Sequence, residues 1–153
     1  VAVIRVREFD THANQGAEAG LHSEQLEIVD NVFGALKSGL GEMWSSTVVL
    51  TVTEFGRTIG QNGSAGTDHD YGSACLIAGG LIENAGVVSD WPGLKLSNLY
   101  DGRDLMATLD MRSVCAACLE ASFGLEHEAI TEQVFSDPNI FFSSICSLVS
   151  NSS

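Results

Sequence analysis

The chain contains 153 residues, of which 44% are hydrophobic and 18% are charged, and its formal net charge is −13. This composition excludes a disordered chain, and the length fits a single domain over residues 1–153 with a sizeable core. The negative charge argues against nucleic-acid and anionic-membrane partners, and no apolar run approaches the about 18 residues of a membrane span.

The first 53 residues have the pattern of a βαβ unit. Residues 1–7 (VAVIRVR) predict a strand, and residues from about 22 to 40 predict a helix, because their apolar side chains recur with a period of about 3.6 residues. The β-branched run at 47–53 predicts a second strand that is buried on both faces. We expect a right-handed crossover between these strands, which brings their carboxyl ends to one edge of a parallel sheet.

Three more elements follow in the second part of the chain. Residues 74–78 (ACLIA) predict a short buried strand. Residues 111–123 predict a helix that Asp110 caps and Gly124 ends, and a shorter helix is predicted over 126–134. Strands and helices that alternate in this way indicate an α/β domain.

The four cysteines do not form a recognisable zinc or redox pattern. Cys115 and Cys118 make a CxxC motif, but it lies inside a predicted helix and not at a helix start after a strand, where redox motifs occur. Cys75 and Cys146 are not spaced as the second pair that a zinc knuckle requires. We therefore expect buried free thiols.

Polar residues follow both strands of the predicted βαβ unit, and they include the usual ligands of catalytic metals. Asp10 and His12 follow the first strand; Glu54 follows the second, before a glycine-rich loop that ends at Asp68 and His69. In open α/β sheets, ligands bind beyond the carboxyl ends of strands. Carboxylates and imidazoles that converge there could bind a divalent metal of the kind that activates phosphate or sulfate esters.

Residues of the following loop complete the predicted site. Arg57 has a planar guanidinium group that can hold a substrate oxygen bidentately. Together with Asn62 and Asp68, Arg57 forms the predicted substrate-binding set. A local arginine and a metal ion would allow a small anionic substrate to bind in spite of the net charge of −13.

Each candidate also has a structural interpretation. Asp10 could cap a turn, and His12 could be a loop histidine bonded to backbone. Glu54 and Arg57 could form a structural ion pair, and Asp68 could close an Asx-turn in an ordinary loop. For each residue taken singly, the structural interpretation is favoured. A shared sheet edge would favour the functional interpretation of all of them together, and the two interpretations then have about equal support.

Five stretches, taken in order along the chain, carry a resemblance to a known family. They are DTHANQ at 10–15, TVTEFGRTIGQNGSAGTDH at 51–69, AGG at 78–80, DWPGL at 90–94 and DMRSVCAACLEASFGL at 110–125. Together they resemble the DUF1501 family, exported bacterial proteins of the alkaline phosphatase/sulfatase superfamily. The resemblance implies a periplasmic or exported location and a truncated three-layer α/β sandwich with a mostly parallel central sheet.

The same resemblance implies a role for each candidate residue. Asp10, His12 and His69 would bind one metal ion, most readily zinc. Glu54 and Phe55 stand where the superfamily has an aspartate and a histidine that bind a second metal. Because Phe55 cannot coordinate a metal, the second site is expected to be weakened or absent, and Glu54 would act as a further ligand or as a general base.

The chain departs from the family in two further respects. Asp70 replaces the glycine that usually follows GTDH, and the superfamily's nucleophile belongs to an amino-terminal half that these residues do not include. Val1 falls inside a strand pattern, with no initiator methionine and no signal sequence. We therefore expect a fragment of a longer protein or a truncated open reading frame, and the resemblance implies that it is the carboxyl-terminal portion of such a protein.

Two functions follow as hypotheses. The first is a metal-dependent hydrolase of small anionic esters, of phosphatase or sulfatase type, or a catalytically incomplete fragment of one; Glu54 and Arg57 would be its catalytic residues. The second is a non-catalytic α/β module that forms a homodimer through the exposed edge of its truncated sheet, because open strand edges invite pairing.

Overall fold

The computed structural model describes residues 1–140. Its elements, in chain order, are α1 (Leu21–Leu40), a first 3₁₀ helix (Gly41–Ser46), β1 (Val49–Leu50), β2 (Gly56–Arg57), β3 (His69–Asp70), β4 (Ile77–Ala78), a second 3₁₀ helix (Leu96–Asn98), α2 (Met111–Phe123) and a π-helix (Ala129–Val134). No helix in this range has the length and apolar composition that a membrane crossing requires.

The predicted three-layer sandwich with a parallel central sheet is wrong. The described residues form two separate two-stranded sheets, and both are antiparallel: β1 pairs with β4, and β2 pairs with β3. The predicted homodimer depended on an open edge of a parallel sheet, and no such sheet is present in residues 1–140.

The predicted βαβ unit is also absent, and strand pairing explains why. Residues 1–7 lie outside any strand, and the predicted strand at 47–53 is reduced to β1, whose two residues are half-buried. β1 pairs in antiparallel register with β4, at the end of the predicted strand 74–78. A β-branched run favours extended backbone, but a strand buried on both faces requires neighbours on both edges, and β4 is the only partner of β1 among the described residues.

The helices match their predicted positions closely. α1 begins one residue before the predicted start and ends at Leu40. α2 covers 111–123 as predicted; the side chain of Asp110 accepts a hydrogen bond from the Arg112 N–H at 2.8 Å, and Gly124 ends the helix with left-handed φ and ψ of 60° and 31°. The helix predicted over 126–134 forms mainly as the π-helix.

The chain divides into two compact units, each built from three segments. The first unit combines residues 1–39, 53–74 and 92–106, and the second combines, among the described residues, 40–52, 75–91 and 107–140. Every residue of the predicted site lies in the first unit.

The second unit contains the buried apolar core of the described residues. It is formed by small and branched side chains of α2, the π-helix and the segment that follows, namely Val114, Ala116, Ala117, Ile130 and Ile140. Cys75, Cys115 and Cys118 are free thiols and are half-buried. Burial raises the pKa of all three, that of Cys118 to about 11. Cys146 lies outside the described residues.

Candidate metal centre

The side chains of Asp10, His12 and His69 lie together in the first unit. The Nε2 atoms of His12 and His69 are 3.2 Å apart, and each is 2.9 Å from Oδ1 of Asp10. The side chains of His12, His69 and Asp10 are 48%, 49% and 54% exposed, so the cluster is open to solvent. Among residues 1–140, it is the only group of three or more histidine, cysteine or acidic side chains whose ligand atoms all lie within 4.8 Å of one another.

His69 is positioned by the antiparallel pairing of β2 and β3, which places it opposite Arg57. The pairing depends on Gly56, because a Cβ at that residue would lie 1.8 Å from the carbonyl oxygen of Gly72. Only glycine allows such a close backbone approach. The FGR sequence at 55–57 thus brings one of the three side chains of the cluster into place.

Asp10 and His12 are positioned by the glycine-rich loop, which lies along their segment. Three backbone hydrogen bonds of 2.9 to 3.2 Å join residues 11–15 to residues 64–67. At Gly66, a Cβ would lie 2.2 Å from the backbone carbonyl carbon of His12. The loop can therefore contact His12 only with glycine at this position.

Arg57 is the centre of a hydrogen-bond network that holds Asp10. Its Nη1 donates to Asp10 Oδ1 at 2.7 Å, its Nε donates to Thr67 Oγ1 at 3.0 Å, and its Nη2 donates to the Thr67 carbonyl. The hydroxyls of Thr67 and Thr11 both donate to Oε1 of Gln15, at 2.6 and 2.8 Å. Because these contacts use three of the five guanidinium N–H groups, most of the donor capacity of Arg57 lies within the protein.

The two aspartates of the site have lowered pKa values. Hydrogen bonds from His69 and from Arg57 lower the pKa of Asp10 below its ordinary value. The pKa of Asp68 is lowered by a hydrogen bond from Asn62 and by one from His12. Both side chains are therefore carboxylates at neutral pH, which accept hydrogen bonds and cannot donate them.

Asn62 uses its whole side-chain amide inside the protein. Its Nδ2 donates to the His12 carbonyl and to Asp68 Oδ1, both at 3.0 Å. Its Oδ1 accepts from the N–H groups of Ser64 and Gly66, at 2.9 and 3.0 Å. An asparagine amide has two donor and two acceptor positions, so the predicted contact of Asn62 with a substrate would require one of these bonds to break.

Asp68 and Phe55 each contact one imidazole of the cluster. Asp68 Oδ1 lies 3.1 Å from Nδ1 of His12. The Phe55 ring stacks on the His69 ring, with a centroid distance of 3.7 Å and an interplanar angle of 13°. Phe55 was expected to mark a lost metal ligand, and its observed position is that of a packing partner of His69.

Glu54 is not part of the cluster. Its side chain is exposed, and it forms no hydrogen bond or ion pair within residues 1–140. It also lies outside the group of ligand atoms formed by the other three residues. The alternative ion pair between Glu54 and Arg57 is not formed, because the guanidinium pairs with Asp10.

The polar residues that hold the site's loops were not predicted from the sequence. Gln15, Thr11 and Thr67 carry no chemical signature of their own, although the four-residue spacing of Thr11 and Gln15 is compatible with their hydrogen bond. Asp70 is buried and accepts hydrogen bonds from the backbone N–H groups of Tyr71 and, at 2.7 Å, of Leu105. The carboxylate of Asp70 therefore joins the end of β3 to Leu105.

The spacing of the two imidazole nitrogens and the carboxylate oxygen would suit a single divalent cation. Zinc lies about 2.0–2.1 Å from nitrogen and oxygen ligands, which places neighbouring ligand atoms roughly 2.8–3.4 Å apart in octahedral or tetrahedral geometry. The observed separations of 2.9, 2.9 and 3.2 Å fall within this range.

Comparison with known proteins gives one family. A family model described as "Protein of unknown function (DUF1501)" matches residues 1–134, which include the whole cluster. No curated protein and no solved structure matches the chain significantly.

Proposed function

The chain belongs to the DUF1501 family, and we propose that Asp10, His12 and His69 bind one divalent metal ion, zinc, with which the protein hydrolyses a small anionic ester. The reaction would be of phosphatase or sulfatase type. Because the family description names no activity, the support comes from the cluster itself.

The observation that carries the proposal is the close contact between two electron-pair donors, a nitrogen of His12 and an oxygen of Asp10. Asp68 is a carboxylate and can only accept, so its contact with Nδ1 of His12 requires a proton on that nitrogen. The other nitrogen of a neutral His12 then carries a lone pair, which lies 2.9 Å from an oxygen of Asp10. Such groups repel one another unless a proton or a cation lies between them.

The ligand set also matches the chemistry of catalytic zinc. Two imidazoles and one carboxylate bind zinc in hydrolytic enzymes and leave a further position open. The half-exposed side chains leave room for a substrate to approach. When bound, the ion would supply Lewis acidity toward an ester oxygen.

The remaining residues would orient the ligands and move a proton. Arg57 holds Asp10 in place through its 2.7 Å hydrogen bond and has two N–H groups left for a substrate anion. Glu54 is the proposed general base, because its exposed carboxylate has no partner within the described residues and is free to accept a proton from an attacking water.

The proposal is tested by measuring metal content and esterase activity on the same preparation. Wild-type protein is expected to retain zinc on dialysis and to hydrolyse a chromogenic phosphate, sulfate or carboxylate ester, with activity lost on chelation and restored by zinc. His12→Ala is expected to lose both properties. His127→Ala is the matched control, because His127 is exposed and belongs to the second unit.

Wild-type protein that retains no zinc would overturn the proposal. Esterase activity that survives in His12→Ala would also contradict it, because that activity would not depend on the cluster. Retention of zinc without hydrolysis of any of the three ester classes would support the metal site and overturn the proposed hydrolase activity.

A further inference from the structure

We propose that Asp68 and Phe55 are positioning residues that direct the two imidazoles of the cluster toward one point. Asp68 holds the proton of His12 on Nδ1, and Phe55 holds the ring plane of His69. The inference rests on the proposed metal site, and it gives Asp68 a role other than the predicted contact with substrate.

Asp68 is held in place by several hydrogen bonds, so its carboxylate can orient the neighbouring imidazole. Its backbone N–H donates to Oγ1 of Thr58 at 3.0 Å, and its carbonyl accepts from the Thr58 N–H at 2.9 Å. Its carboxylate oxygen Oδ1 accepts from Nδ2 of Asn62 at 3.0 Å. The acceptor that faces His12 is thus held by both backbone and side-chain hydrogen bonds.

The effect on His12 follows from the structure of the imidazole ring. In a neutral imidazole one nitrogen carries the proton and the other carries the lone pair. With the proton on Nδ1, 3.1 Å from Asp68, the lone pair lies on Nε2, the atom that faces Asp10 and His69. A carboxylate partner of this kind fixes the tautomer and orientation of a metal-binding histidine and increases its basicity as a ligand.

Phe55 acts on His69 through packing. The two rings are nearly parallel at 3.7 Å, close to van der Waals contact. Rotation of the His69 ring out of this plane would drive its edge into the Phe55 ring, so the stack restricts the direction of Nε2. The guanidinium carbon of Arg57 lies 5.7 Å from the centroid of the Phe55 ring, within the range of a cation–π interaction. Phe55 is therefore also next to the residue that holds Asp10.

The two residues together oppose the repulsion within the cluster. Without a cation, the lone pair of His12 and the charge of Asp10 repel each other, and the half-exposed imidazoles of His12 and His69 could turn toward water if no contact held them. Fixing both rings in advance reduces the entropy that metal binding must overcome. Removal of either residue should therefore weaken metal binding without removing a ligand.

Two pairs of variants separate the roles. Asp68→Ala removes the acceptor, whereas Asp68→Asn keeps an oxygen that can accept from Nδ1. Phe55→Leu keeps apolar volume without an aromatic ring, whereas Phe55→Tyr keeps the ring. Tyr71→Leu is the control for loss of an aromatic side chain, because Tyr71 is exposed and packs on Tyr100.

Zinc affinity is measured by competition with a chromogenic chelator, and the metal-free protein is examined by NMR. Asp68→Ala is expected to bind zinc about 10–100-fold more weakly, with a smaller loss in Asp68→Asn, and Phe55→Leu about tenfold more weakly. Phe55→Tyr and Tyr71→Leu should retain wild-type affinity. Long-range ¹H–¹⁵N spectra should show neutral His12 with its proton on Nδ1 in the wild type but not in Asp68→Ala, and Phe55→Leu should abolish a ring-current shift of the His69 protons.

Wild-type zinc affinity in Asp68→Ala and Phe55→Leu would overturn the inference, as would a wild-type His12 with its proton on Nε2. A wild-type protein that binds no zinc overturns the proposed function. In that case the tautomer of His12 and the ring-current shift of His69 still decide the positioning roles, because both are measured on metal-free protein.

Discussion

Arg57 is more deeply buried than the carboxylate it holds: the arginine side chain is 18% exposed, that of Asp10 is 54% exposed, and Nη1 lies 2.7 Å from Oδ1. Two further N–H groups of the guanidinium point at Thr67. An arginine whose main task is to bind a substrate would present these donors to solvent. The geometry places Arg57 first as a support for Asp10.

Arg57→Lys should therefore weaken zinc binding. A lysine ammonium is a point charge and cannot bridge Asp10 and Thr67 with the planar geometry of a guanidinium. We expect roughly a tenfold loss of zinc affinity in chelator competition. This is the lower end of the about 10–100-fold loss that is typical when a residue that supports a metal ligand is replaced. Arg5→Lys, an exposed position in the same unit, is the control. If Arg57→Lys left the zinc affinity unchanged but weakened the inhibition of ester hydrolysis by phosphate, Arg57 would be a substrate-binding residue instead.

Asn62→Asp should destabilise the loop that carries Asp68. The substitution keeps the size of the side chain but replaces two donors by an oxygen that faces the His12 carbonyl and the Asp68 carboxylate. Loss of these hydrogen bonds is expected to lower the free energy of unfolding by roughly 1–3 kcal/mol and to weaken zinc binding. Asn31→Asp on α1 adds the same charge at an exposed position. If Asn62→Asp raised only the KM for an ester, Asn62 would be a substrate contact.

Gly66→Ala and Gly63→Ala should differ sharply although both lie in the glycine-rich loop. A Cβ at residue 66 would lie 2.2 Å from the backbone of His12, whereas a Cβ at residue 63 has no neighbour within 4 Å. Gly66→Ala is expected to displace the His12 segment, at a cost of roughly 1–3 kcal/mol, and to reduce zinc affinity. Thermal unfolding and chelator competition measure the two effects. Equal behaviour of the two variants would refute the close packing of this loop on His12.

Asp110 should make the stability of α2 depend on pH. Its side chain caps the helix, and Asp110→Ala is expected to lower the free energy of unfolding by about 1 kcal/mol at pH 7. Hydrogen bonding to Arg112 lowers the pKa of Asp110 in the folded protein. The contribution is therefore complete above the ordinary carboxyl pKa of about 3.9 and is lost as the pH falls through the lowered value.

Urea unfolding of wild type and Asp110→Ala at a series of pH values measures this difference. It should stay constant from neutral pH to about pH 5 and disappear in stronger acid. Asp90→Ala, an exposed loop residue of the second unit, should show no such dependence. A difference that grows as the pH falls would contradict the assigned cap.

Cys118 should react slowly with thiol reagents in the folded protein. Its pKa of about 11 leaves only about 0.1% of the thiol as the reactive thiolate at pH 8. Peptide mapping after iodoacetamide treatment should show little labelling of Cys118 in native protein and full labelling in urea. Rapid native labelling would indicate an exposed, reactive CxxC.

Local signals predicted the helices, and non-local pairing explains why the sheet was predicted wrongly. α2 is determined by residues next to it in sequence: the Asp110 cap and Gly124 at its end. The apolar runs at 1–7 and 47–53 have strand propensity, but a strand forms only with a partner whose identity the run does not encode. The partner of β1 is β4, with which it pairs in antiparallel register.

Asp10, His12 and His69 lie close together, as the sequence predicted, but for a different reason. A shared edge of a parallel sheet was expected, whereas the three side chains are brought together by the β2–β3 pairing and by a loop that lies along residues 11–15. The supporting role of Arg57 could not be derived from sequence. This role depends on hydrogen bonds from Arg57 to Thr67 and from Thr67 to Gln15. Such side chains are common in loops, and the sequence does not show which of them will be hydrogen-bonded to each other.

The central claim is tested most directly by the zinc stoichiometry of metal-depleted protein in equilibrium dialysis. The proposed centre predicts about one zinc ion per wild-type chain and none in His69→Ala at the same free zinc concentration. His22→Ala, which changes a histidine outside the cluster, should bind as the wild type does. A wild-type chain that binds no zinc, or a His69→Ala chain that binds as much as the wild type, would contradict the account.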